Sequence, residues 1–297
     1  MALIISKGMG YISQIMTILE EMCFGKFYFD SALLLRESIF INGILSSIEA
    51  TYGLTSQDVE NLEILDRILL RKILSAHSKC PNESLYLELG VMPIKFIIIC
   101  RRLSFLHYIL NRPDTDLLKQ FFEIQCKYPT KNDWVLTIKQ DINILSLKMT
   151  FKDIKNMKKQ KFLKIIKEKA RQKSLEYLLD LKKKHSKLDQ LSYNKLKIQS
   201  YFGTSKISIK AAKSVFKYRT KMSSVKDNFH SMYNQDTLDC PECPGINDTQ
   251  EHLIDHFDRS IDKPSYKMLF SNGYHKEKAI LVKNMDLILN RRQKHKK

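Results

Sequence analysis

Four side chains toward the end of the chain have types and spacing that suit metal chemistry. Cys240, Cys243, His252 and His256 follow the pattern C-x2-C-x8-H-x3-H. Two thiolates on a tight turn and two imidazoles one helical turn apart can close a tetrahedron around zinc. His252 and His256, at i and i+4, share one face of a short helix. Four protein ligands leave no open position, so an ion held there is structural and not catalytic. A segment this short buries little core, and the metal supplies most of its folding energy. Glu251, Asp255 and Asp258 are spare acids that could orient an imidazole. The alternative is an accidental C-x-x-C beside two surface histidines.

Just upstream, Phe216-Lys217-Tyr218-Arg219-Thr220-Lys221-Met222 interleaves cations with aromatics. Lys217, Arg219 and Lys221 could hold phosphates while Tyr218 stacks on a base. An ordinary amphipathic helix with Phe216 in the core is the other reading, and the two are compatible. Elsewhere the chemistry is thin. No Gly-rich phosphate loop is present, and Gly8-Met9-Gly10 is only a fragment of one. No adjacent Asp-Asp pair occurs, so the aspartates that place two metals in most polymerases are lacking.

The net charge of +18 is unevenly placed. Residues 1–150 carry 16 basic and 16 acidic side chains, whereas residues 151–230 carry 23 and 6. A block so charged repels itself unless a polyanion or an acidic surface neutralises it. Nucleic acid does this well, because each cation that meets a phosphate releases condensed counterion. Lys158, Lys159, Lys161 and Lys164, within this block, are the candidate phosphate contacts. A solvated basic face is the competing reading.

The elements that would position these groups are helices. With only 9 Gly and 7 Pro, a turn-rich β-sandwich is disfavoured. Helical spacing predicts helices over 11–23 and 30–50, then a capping box at Thr55 and Asp58 opening a helix that runs to about Ser75. Leu85 to Leu89 reads as a short amphipathic turn. Pro93 suits a helix N-terminus and Pro113 ends that helix. Trp134 reads as a packing anchor. Residues 151–187 read as a Lys-rich helical stretch whose apolar edge includes Leu163, Ile166 and Leu178. Residues 192–233 add Tyr193, Tyr201, Phe202, Phe229 and Tyr233, and a last helix is expected near 276–292. Cys23, Cys80, Cys100 and Cys126 read as reduced core residues. No apolar run of about 18 residues and no secretory signal is visible, so an intracellular protein of nucleus or cytoplasm is expected.

Several segments together resemble the region after the palm of reverse transcriptases from non-LTR (LINE-type) retrotransposons. They are Lys7 to Met16, Ser31 to Ser38, Tyr52 through Arg71, Leu87-Glu-Leu-Gly90 with Pro93-Ile94, Arg101 to Tyr108, Phe216 to Met222, Asn228-Phe229, Cys240 to Cys243, and Asp248 to Leu253. The resemblance spans nearly the whole chain, and its most specific part is the last. It implies a helical thumb that grips a template–primer duplex by its backbone, and a Cys/His knuckle that binds nucleic acid. The family usually has Cys at the fourth knuckle position, where this chain has His256.

The expected fold class is therefore mainly α, with four parts. They are a helical thumb-like domain (1–112), a basic helical connector (113–235), a zinc knuckle (236–260) and a C-terminal helical tail (261–297). The expected function is binding of RNA or DNA without polymerisation, as a fragment that the missing palm would complete. A domesticated remnant acting as a protein-interaction or zinc-dependent nucleic-acid-binding module is the alternative.

Overall fold

The computed structural model describes residues 2–22, 25–51, 53–131, 133–203, 207–228, 238–256, 265–271, 273 and 275–294. Cys23, Phe229, Tyr233 and Asp258 lie outside them. The fold is mainly α, with a single two-stranded hairpin among the described residues.

The first half is a run of helices: α1 (Ala2–Glu21), α2 (Tyr28–Leu35), α3 (Asn42–Ile44), α4 (Ser56–Leu74), α5 (Asn82–Leu89) and α6 (Ile94–Leu110). A π-helical stretch, Arg36–Ile41, joins α2 to α3. The expected capping box is present at α4: the Thr55 hydroxyl accepts from the Asp58 amide, and Asp58 accepts from the Thr55 amide. An identical box at Thr150 and Asp153 opens α9 (Phe151–Asn156). Between α6 and α9 lie α7 (Leu117–Lys127) and α8 (Trp134–Ile144). Trp134 is buried and donates to the Glu49 carbonyl at 2.9 Å, so it does anchor packing.

The segment expected to be an amphipathic turn is instead a helix buried on all sides, because residues 83–89 of α5 are covered throughout. α5 ends at Gly90, whose φ of +64° favours glycine. A Cβ there would stand 2.1 Å from the Lys197–Ile198 backbone. That crossing segment is pinned by the Gln199 amide donating to the Glu88 carbonyl at 2.9 Å.

α10 (Lys159–Lys182) buries Phe162, Ile166, Ala170, Ser174 and Leu178, one residue every fourth. It packs on α5 and α6. The last helices are α11 (Ile209–Arg219) and α12 (His275–Lys294), which lie against each other.

Packing groups the chain differently from the division by composition. One core joins α1 to α5 with residues 178–289, and a second runs from Phe96 to Ala170. The basic connector is thus shared between two cores, because its two ends bury their apolar faces against different partners. Ion pairs inside the folded chain are paired tightly. Arg36 meets Asp66 through two bonds of 2.7 and 2.6 Å, and Arg102 meets Asp141 through two of 2.7 Å.

Candidate functional site

The Cys/His group is built by a hairpin and a single 3-10 turn. Strand β1 (Asp239–Cys240) pairs antiparallel with β2 (Cys243–Asn247), and Cys240 faces Cys243 across the turn. Gly245, at φ +82°, lets the second strand bend after the cysteines. The chain then enters the 3-10 turn His252–His256, whose first amide donates to the Thr249 hydroxyl at 3.0 Å. Leu253 and Ile254 anchor this turn in the first core.

The four ligand atoms lie within 4.8 Å of one another. Cys240 Sγ and His256 Nε2 are 3.4 Å apart, Cys243 Sγ and His256 Nε2 3.7 Å, and the two Nε2 atoms 3.1 Å. A tetrahedral ion about 2.3 Å from sulfur and about 2.0–2.1 Å from nitrogen requires edges of about 3.6 Å (S to N) and about 3.3 Å (N to N). These three edges fit those values, while the widest separation in the group, within 4.8 Å, would have to close on binding; the group could hold a metal ion.

The hydrogen bonds around the rings support the same arrangement. His252 Nδ1 meets Asp255 at 3.2 Å, and His256 Nδ1 meets the Glu242 carboxylate at 2.7 Å. A carboxylate on each Nδ1 holds its proton there and leaves the Nε2 lone pair facing the centre. Burial, then the nearby Arg292 charge, hold His256 below its ordinary pKa, which also favours the ligating neutral ring. Arg292 reaches in from α12. Its guanidinium donates to Cys240 Sγ at 3.0 Å, to Asp248 at 2.7 Å and to Glu242 at 3.4 Å.

Compared with family models, curated proteins and solved structures, the chain gives no match. The functional reading therefore rests on the residues themselves.

Of the acids expected near the site, Asp255 touches a histidine and Glu251 is exposed. Glu242 and Arg292 were not foreseen. Glu242 lies inside the C-x-x-C, where a carboxylate two residues from one thiol and one from the other was a readable signal. Arg292 carried none, being 52 residues from Cys240.

The expected nucleic-acid contacts divide. Lys158, just before α10, and Lys159, Lys161 and Lys164 on it are exposed. Lys217 and Lys221 are half-buried, and Lys221 sits in the left-handed region at φ 51°. Tyr218 and Arg219 must be corrected, since both are inside the protein. Tyr218 donates to Asp286 at 2.9 Å, and burial followed by Asp286 raises its pKa. Its ring face is covered, which removes it as a stacking platform. Arg219 donates to Glu88 at 3.0 Å and to the Leu269 carbonyl at 2.6 Å. Tyr193 and Tyr201 donate to the same Glu88 at 2.6 and 2.7 Å. Arg219 is thus a structural cation tying α11 to α5.

Proposed function

We propose that this chain binds RNA or DNA as the portion of a non-LTR retrotransposon reverse transcriptase that follows the palm, with Zn2+ in its Cys/His cluster. The observation that carries the reading is the charge block of residues 151–230, with 23 basic and 6 acidic side chains. On α10 the ion pairs among the described residues are Lys173–Glu176 and Lys183–Asp180, so Lys158, Lys159, Lys161 and Lys164 remain unneutralised. The Cys2His2 geometry suits zinc, whose borderline softness accepts both thiolate and imidazole. Its role would be to shape the hairpin, since no coordination position is left for substrate. In this reading the chain holds nucleic acid and does not polymerise it, as it has no aspartate pair. The reading also places the chain inside the cell. No helix among the described residues is long and apolar enough to cross a membrane.

A second reading, protein interaction, draws on α7. Leu117, Phe121 and Ile124 share one helical face and are exposed, as is Tyr128 beyond the helix end. One experiment separates the two. The full chain is titrated against labelled RNA over a range of salt. Nucleic-acid binding should weaken steeply as salt rises, with a log–log slope of about −0.7 per phosphate neutralised on a single strand. Binding that ignores salt, or no binding at low salt, would reject the proposal and favour an apolar protein partner.

A further inference from the structure

α11 and α12 run against each other, and a cleft of about 1440 Å³ lies along the pair. The end of α4, residues 222–226 and Pro241 of the hairpin complete its walls. It exceeds the roughly 300–1,000 Å³ of a small-molecule pocket, which suits an extended ligand.

Six cationic side chains line it: Lys210, Lys213, Lys217, Lys226, Lys283 and Arg292. The first three sit at i, i+3 and i+7 of α11, on one face. Among the described residues the two carboxylates in the wall, Asp248 and Asp286, are already engaged. Asp286 accepts from the Ser214 hydroxyl at 2.7 Å and from Tyr218 at 2.9 Å. Asp248 accepts from Arg292 at 2.7 Å and from the Lys226 amide at 2.9 Å. Lys213 rests over the Tyr28 ring, 4.7 Å from its centre, and donates to the Tyr28 hydroxyl at 3.3 Å; among the described residues no ion pair to it is formed. Burial, then the nearby Lys217 charge, lower its pKa. Beside the lysines, Ile280 and Leu287 of α12 are each 55 % exposed and line the same cleft.

We propose that this cleft seats one single nucleic-acid strand, its phosphates on Lys210, Lys213, Lys217, Lys226 and Lys283 and its base faces on Ile280 and Leu287. The proposal rests on the nucleic-acid reading above and moves the principal contact from α10 to the α11–α12 cleft. Axes of packed helices stand about 8–10 Å apart. α11 and α12 are in contact, so the ligand lies in the groove above their seam, and only a single strand has unstacked bases free to lie on Ile280 and Leu287. Lysines at helical spacing contact phosphates without reading base edges, so sequence preference is weak. α12 forms one wall, so residues 151–258 alone cannot make the site, despite holding nearly all the charge.

The test uses the full chain with a labelled uridine oligonucleotide and a blunt RNA duplex, followed by anisotropy across salt. Three charge-reversal sets are compared: Lys210→Glu with Lys217→Glu and Lys283→Glu in the cleft, Lys158→Glu with Lys159→Glu, Lys161→Glu and Lys164→Glu on α10, and Lys184→Glu with Lys195→Glu and Lys197→Glu as a charge-matched control. The cleft set should flatten the salt slope by about 2 and weaken binding at least tenfold, from three lost phosphate contacts at about 0.7 each. The control set should leave the slope within about half a unit. Glutamine versions of the cleft set, which avoid new repulsion, should give a smaller loss of the same kind, and circular dichroism checks the helices. If the α10 or control set weakens binding as much as the cleft set, or if duplex binds as tightly as single strand, the cleft assignment is wrong while nucleic-acid binding stands. If the parent chain binds neither probe, both fall.

Discussion

α10 and α11 are both lysine-rich, and they use their lysines in opposite ways. α10 buries a narrow seam of Phe162, Ile166, Ala170, Ser174 and Leu178 and turns most of its cations to water. α11 buries Ala212, Ser214, Val215, Phe216, Tyr218 and Arg219, so that its remaining lysines stand at the edge of a walled cleft. A contact made in open solvent is the one most strongly screened by salt. A cation that is partly desolvated among like charges gains more from one phosphate. Charge density along a sequence therefore marks where cations are, whereas a second wall decides where they can hold something.

The largest test of this contrast is the metal. Structural zinc in small Cys/His units contributes on the order of 10–16 kcal/mol to their folding. Cys240→Ser, or chelation under reducing conditions, should remove about one metal per chain and release the 240–256 hairpin and turn. Arg292 then loses its sulfur acceptor and the end of α12 loosens, while α10 stays helical. His256→Cys should keep the metal, since thiolate serves equally at that corner. Metal analysis that finds none in the reduced parent protein would sink the site.

Next in size is the tie between α11 and α5. Arg219→Ala leaves Glu88 buried at 0 % exposure without its cation. Breaking a buried pair in this way costs about 3–5 kcal/mol. Lys164→Ala on the exposed side of α10 should shift urea unfolding by no more than about 0.5 kcal/mol. Equal effects from the two substitutions would erase the distinction between the helices.

The smallest effect is in pH dependence. Lys278 on α12 is buried, and burial, then Arg219, bring its pKa down to about 8 from an ordinary 10.5. Below about 8 it is charged in both states and carries its full desolvation cost. Between about 8 and 10.5 the folded chain sheds this proton first, so the cost fades and this group's contribution to stability rises with pH. Lys278→Met should flatten that rise in thermal unfolding measured from pH 7 to 10. An unchanged profile would show that the ammonium is not desolvated.

What could be read in advance follows from how far the deciding partner lies along the chain. The Thr55–Asp58 box spans three residues, and the Cys/His spacing lies within one short segment, so both were readable. The Trp134 anchor was expected from a single residue's size and setting. Tyr218 and Arg219 were misplaced because their partners, Asp286 and Glu88, lie 68 and 131 residues away. The local pattern of cations alternating with aromatics gives no sign of a buried carboxylate on another helix. α5 was misread for a similar reason: its second covering face comes from residues near Lys197, far along the chain.

α10 has a consequence for cooperativity. Its first half is fixed in the core of Phe162, Ile166 and Ala170, and its second half, through Leu178, in the core built by the rest of the chain. Half of this helix, about 12 residues, is marginal on its own in water, so each half depends on its own core. Neither core can melt without fraying the shared helix and uncovering the edge of the other. Denaturation should then follow one transition, and amide exchange along α10 should be slowest near Ala170, where the two supports meet.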